Sequence, residues 1–107
     1  MQMKSIDAKE LRRLIESNKS FQLIDVREPD EHEEFNIGGE LIPLGEITSH
    51  IGEIQKDKPV VVYCRKGIRS QFAIQKLQEK FPFENLYNLI GGIEAWRNER
   101  KLHGLNG

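Results

Sequence analysis

The 107-residue sequence predicts an α/β fold with a mainly parallel sheet covered by helices on both faces, and three observations carry that prediction. Short β-prone runs alternate with helix-like stretches along the chain, the order expected of βαβ units. One run, Val60-Val61-Val62-Tyr63, is apolar without interruption, which marks a central parallel strand buried on both faces. Two strand-like runs pass directly into polar segments carrying Asp25 and Cys64. In such sheets ligands sit outside the carboxyl ends of the strands.

The elements follow in order. Asp7 and Glu10 have the spacing of a capping box, and Leu11, Leu14 and Ile15 continue it as a helix over residues 7–17 that stops near Asn18. Phe21 to Val26 reads as a buried strand. Pro29 then suits the first turn of a short acidic helix reaching Phe35. Gly38-Gly39 breaks it, and Leu41-Ile42-Pro43 forms a very short strand. Ile47, Ile51 and Ile54 fall on one face of a helix over residues 46–55. After a turn at residues 57–59 comes the central strand, then Cys64-Arg65-Lys66-Gly67-Ile68-Arg69-Ser70, then a helix with Phe72, Ala73, Ile74, Leu77 and Phe81 that Pro82 ends. Leu86–Leu89 is a further strand, Gly91-Gly92 a turn, and residues 93–100 a last helix.

Composition bounds the function. The length fits one domain, 1–107, with its core at about residues 5–100 and a loose tail at 101–107. Sixteen basic residues against 17 acidic ones give a net charge of −1, so neither a nucleic-acid nor a membrane partner is expected. No apolar stretch is long enough for a membrane span, and MQMKSIDAKE has no signal-like apolar region. A cytoplasmic location is the expectation. A single cysteine makes no internal disulfide and no Cys-rich zinc site. His32, His50 and His103 lack ligand spacing, so neither metal nor cofactor is expected.

The segment between the central strand and its helix carries the chemistry. A strand-to-helix turn leaves successive N–H groups without helical partners. Converging, they form an anion-binding nest backed by the positive end of the helix dipole. Gly67 allows the backbone that a β-carbon would resist, and Arg65, Lys66 and Arg69 add positive charge. A thiol there, Cys64, is expected to titrate below a free cysteine and act as a nucleophile.

These residues resemble the active-site loop of the rhodanese family. Asp25-Val26-Arg27-Glu28 is similar to the family's early acidic strand end, Ile42-Pro43-Leu44 to its short second strand, and Val60–Tyr63 to the strand before its cysteine. Gly91-Gly92 with Trp96 resembles its closing Gly-Gly-x-x-x-Trp segment. The match runs from about residue 5 to residue 100. The resemblance implies a three-layer domain whose sheet has about five strands. One departure is visible: where the family often has Gly-His-Ile-Pro-Gly-Ala, this chain has Asn36-Ile37-Gly38-Gly39-Glu40-Leu41, shorter and without the His or Pro.

The family likeness implies a sulfurtransferase that moves a sulfane sulfur from thiosulfate or a similar donor, through a persulfide on Cys64, to cyanide or a thiol. Its partners are then a small-molecule donor and acceptor, with a sulfur-relay protein as a further acceptor. The N–H groups from Arg65 to Ser70, Gly67 and Ile68 included, would hold the persulfide's charge. Arg65 and Lys66 either bind the donor or form a solvated pair. Arg69 either reaches the pocket or pairs with an acidic residue such as Asp25 or Glu28. Asp25 is expected to organise the loop rather than act as a base. Arg27 either lines the pocket or packs on the surface. Ser70 is expected to cap the following helix. Trp96 is expected in the core, Gly91-Gly92 in a backbone-driven turn, and the acidic run from Glu28 to Glu34 on a solvated face.

Three other readings compete. A phosphatase or arsenate reductase of similar architecture would need a Cys-x5-Arg loop, whereas Arg69 makes this one Cys-x4-Arg, one residue short. A non-catalytic binding module could keep the fold, though Cys64 and its basic loop are both present. A redox thiol would have to resolve on another protein.

Overall fold

Asp7 accepts a hydrogen bond from the Glu10 N–H at 2.8 Å, and Glu10 returns one from the Asp7 N–H at 3.0 Å. This capping box opens α1 (Ala8–Glu16) in the computed structural model, which describes residues 3–104. The chain continues through β2 (Gln22–Asp25), α2 (Pro29–Glu34), β3 (Glu40–Leu41), a 3₁₀ segment (Leu44–Glu53), β4 (Val60–Tyr63), α3 (Arg69–Lys80), β5 (Leu86–Leu89) and α4 (Gly92–Leu102). Before α1 lies β1 (Lys4–Ile6).

All five strands are parallel, in the order β1-β5-β4-β2-β3. The uninterrupted apolar run therefore occupies the centre, as read, with Val60 to Tyr63 wholly excluded from solvent. Alternation along β4 divides its side chains between two layers. Val60, Val62 and then Cys64 face Ile47 of the 3₁₀ segment and Ala73, Ile74 and Leu77 of α3. Val61 and Tyr63 face Leu11 of α1 and Ile93 and Trp96 of α4. Burying each aliphatic side chain of β4 contributes about 1.5–3 kcal/mol. The expectation that Trp96 belongs to the core holds.

Several boundaries differ from the sequence reading. The edge strand β1 was not anticipated: Lys4 and Ser5 are exposed, so Lys-Ser-Ile carries no apolar pattern and owes its conformation to pairing with β5. The helix expected over residues 46–55 is a 3₁₀ segment, Leu44–Glu53, kinked at His50. Gly45, Thr48, Ser49 and Gly52 are weak α-helix formers, and the Ser49 hydroxyl donates to the Glu46 carbonyl at 2.8 Å. The last helix runs to Leu102, into the stretch expected as a tail. Residues 105–107 of that tail lie outside the described residues.

Candidate functional site

The carboxyl end of β4 delivers Cys64 into a turn whose N–H groups close on its sulfur. The Gly67 N–H donates to Sγ at 3.1 Å and the Ser70 N–H at 3.4 Å, with the Ser70 hydroxyl also at 3.4 Å. Gly67 makes the turn possible at φ +93°, where a β-carbon would also press on the Gly91 nitrogen and the Leu89 carbonyl at 3.1 Å. Cys64 is 1% exposed. Burial pushes the Cys64 thiol up, but the Ser70 hydroxyl and the N–H groups of Ser70, Gly67 and Lys66 outweigh it, and the thiol sits below its ordinary range. The turn is thus a nest of N–H donors that favours the anionic form of the sulfur it surrounds.

The loop's outward carbonyls are satisfied by the start of α4. Ile93 N–H donates to the Cys64 carbonyl at 3.0 Å and Glu94 N–H to the Arg65 carbonyl at 3.2 Å. That approach requires Gly92, whose added β-carbon would lie 2.4 Å from the Cys64 carbonyl oxygen. The Gly91-Gly92 turn is thus the seat on which the cysteine loop rests.

The family model for the rhodanese-like domain matches residues 7–99. The chain belongs to the rhodanese-like domain family. It is 44% identical over 81 residues to the uncharacterized protein YqhL of Bacillus subtilis, an alignment covering 75% of this chain and 64% of that protein. It is 40% identical over 76 residues to the thiosulfate sulfurtransferase GlpE of Coxiella burnetii, covering 70% of each. Among solved structures, a rhodanese-like domain protein from Staphylococcus aureus superposes with a TM-score of 0.79 at 28% identity, covering 88% of this chain and 91% of the other.

Around the rhodanese loop, the charged residues foreseen from sequence are present but mostly engaged. Arg69 pairs with neither Asp25 nor Glu28; it forms a two-pronged bond to Glu31 of α2, at 2.7 and 2.9 Å. The pair holds the Glu31 carboxyl down at about 2 and raises the Arg69 guanidinium. Asp25 is fully buried, and its carboxylate partners are Arg27 and His32. It takes Arg27 Nε at 3.0 Å and Nη2 at 2.8 Å, and sits 2.8 Å from His32 Nδ1. Arg27 does not pack on the surface: it is 5% exposed and also donates to the Phe35 carbonyl at 2.6 Å. It lines a cleft of about 300 Å³ with Phe35, Arg65, Glu94 and Arg97. Arg65 is exposed and meets Glu94 at 3.3 Å. Lys66 and Ile68 are exposed.

Ser70 is not a helix cap. Ile68 holds the N-cap position of α3, and Ser70 points inward between Cys64 and Asn88 of β5, donating to Asn88 Oδ1. A larger groove of about 410 Å³ borders α1 and β5 near Lys19 and Pro59. Those two residues precede β2 and β4, so the groove sits toward the amino ends of the strands, away from Cys64.

Sequence reasoning missed Glu31, His32, Asn88 and the Tyr63 hydroxyl. Glu31 was hidden because it also completes the capping box that starts α2. Asn88 carried a usable signal: an amide in the middle of an apolar strand is disfavoured unless something buried needs it. The shortened 36–41 segment is anchored by Tyr63, whose hydroxyl donates to the Gly38 carbonyl at 2.9 Å and accepts from the Ile37 N–H at 3.2 Å.

Proposed function

We propose that this rhodanese domain is a sulfurtransferase that carries sulfane sulfur as a persulfide on Cys64. The observation that carries the reading is the convergence of Gly67 N–H, Ser70 N–H and the Ser70 hydroxyl on one buried sulfur. In the first half-reaction the Cys64 thiolate attacks the outer sulfur of thiosulfate. The S–S bond of the donor breaks, sulfite leaves with its electron pair, and Cys64 carries an S–S⁻ group. Cyanide or a thiolate then attacks that outer sulfur and the Cys64 thiolate returns. No external base, metal or cofactor enters either step.

The nest suits this chemistry because its donors point where the negative charge resides in thiolate and persulfide alike. Arg69 and Glu31 keep the start of α3 in register with α2, a supporting task. Arg65 and Lys66, exposed on the loop itself, offer positive charge to an anionic donor. The four-residue spacing from Cys64 to Arg69 supports a sulfur atom over a full phosphate as occupant. A thiol on a sulfur-relay protein is an acceptor of the same chemistry as a small thiol, and a cytoplasmic setting would keep Cys64 reduced. Among the described residues, no helix is long and apolar enough to cross a membrane.

Steady-state thiocyanate formation from thiosulfate and cyanide tests the reading. Two half-reactions through a covalent intermediate give parallel double-reciprocal lines as either substrate is varied. Intersecting lines would point to direct transfer without a persulfide.

A further inference from the structure

The Ser70 hydroxyl has one proton and two claimants. Its oxygen lies 3.4 Å from Cys64 Sγ on one side and donates to Asn88 Oδ1 on the other. All three residues are buried: Ser70 is 0%, Cys64 1% and Asn88 4% exposed. A hydroxyl offers a single O–H donor and accepts through its lone pairs. While the proton points at Asn88, Ser70 presents only lone pairs to the sulfur, an arrangement that suits a thiol S–H. When the sulfur is an anion, the proton is needed there, and the Asn88 oxygen loses its donor.

We infer that Asn88 is a positioning residue for the sulfur, its carboxamide oxygen competing with Cys64 for the single Ser70 proton and so favouring the neutral thiol over the anion. The inference rests on the reading of Cys64 as the sulfur carrier and adds to it a residue that sets how readily the anion forms. Asn88 is 4% exposed in β5 and its carboxamide oxygen accepts from Ser70. Its effect opposes the nest, in which the Ser70 hydroxyl is the strongest of the groups drawing the thiol down. The consequence is a sulfur anion stabilised by backbone N–H groups at all times and by the hydroxyl only when Asn88 releases it.

The charged groups on the elements that meet at the cysteine loop must be held fixed in any test. Arg65, Lys66 and Arg69 lie on the loop and α3, and Asp25 and Arg27 at the end of β2. Glu31 and His32 come from α2, and Glu94 from α4. None of them is altered by changing Asn88, and a comparison in two Ser70 backgrounds cancels their contribution.

The experiment is the pH profile of Cys64 alkylation by iodoacetamide in wild type, Asn88→Leu, Ser70→Ala and the double variant. Leucine approximates the shape of asparagine without an acceptor. Asn88→Leu is expected to lower the profile's midpoint, raising the rate well below it by about three- to tenfold, the worth of one hydrogen bond. In the Ser70→Ala background the same substitution is expected to leave the midpoint unmoved. A midpoint that rises or stays put in Asn88→Leu, or a shift that persists without Ser70, overturns the inference. Asn88→Ala repeats the comparison should Asn88→Leu fail to fold by circular dichroism. Alkylation needs no sulfur donor, so this result stands apart from whether Cys64 accepts sulfur.

Discussion

Glu31 and Arg69, 38 residues apart in the chain, grip each other through two hydrogen bonds of 2.7 and 2.9 Å. The pair fastens α2 to the first residue of α3, one position before Ser70. The cysteine nest depends on where α3 begins, because Gly67, Ser70 and the helix start supply its donors. An ion pair on the protein's flank is thereby a support for the sulfur.

Arg69→Ala is expected to lower kcat/KM for sulfur transfer by about tenfold or more, since a two-pronged guanidinium–carboxylate pair carries geometry as well as charge. Arg69→Lys should recover only part of it, because an ammonium cannot match both carboxylate oxygens in one plane. Rates from steady-state kinetics check this, and an unimpaired Arg69→Ala enzyme would contradict it.

The same pair makes stability depend on acid. Glu31 titrates at about 2 in the folded chain against an ordinary 4.5. A carboxyl depressed by folding contributes its full stability above the unfolded value and loses it as pH falls toward the folded one. Thermal melts of wild type and Glu31→Gln should therefore differ most above pH 4.5 and converge between pH 4.5 and 2. A gap that does not change with pH would contradict the assignment.

Tyr63→Phe removes the hydroxyl that serves both the Ile37 N–H and the Gly38 carbonyl. Burial pushes that phenol up to about 12, so it stays neutral and able to donate at any working pH. Losing both bonds is expected to cost about 1–3 kcal/mol in urea unfolding. The Cys64 alkylation profile should remain in place, because Tyr63 faces the opposite layer from the sulfur. A moved profile with unchanged stability would reverse this division of roles.

Gly92→Ala would set a β-carbon 2.4 Å from the Cys64 carbonyl oxygen, at a backbone φ of +57°. A loss of about 2 kcal/mol or more is expected from strain and the clash together, with transfer activity falling as the loop shifts. Gly52→Ala is the control: nothing lies within 4 Å of its β-carbon. Equal melting temperatures for the two variants would contradict the account of Gly92.

Much of this was legible because local signals agreed with the global arrangement. The Asp7–Glu10 box, the apolar run of β4 and the glycine in the cysteine loop each act through neighbours in sequence. What stayed hidden acts across the fold. Glu31 reads as a helix-start acid until Arg69 is seen opposite, and Ser70 reads as a cap until Asn88 appears beneath it. His32 showed only that it had no metal-like spacing, whereas its partner is the carboxylate seven residues earlier in β2. β1 has no pattern of its own because an edge strand of three residues takes its conformation from pairing with β5.

The most direct test of the central claim is the intact mass of the protein after incubation with thiosulfate, in wild type and Cys64→Ser. A gain of about 32 Da in wild type, removed by dithiothreitol and absent from the variant, is the predicted signature of the covalent sulfur intermediate. A folded, reduced wild type that gains no sulfur, or a Cys64→Ser protein that gains it equally, would contradict Cys64 as the carrier of sulfur from this donor.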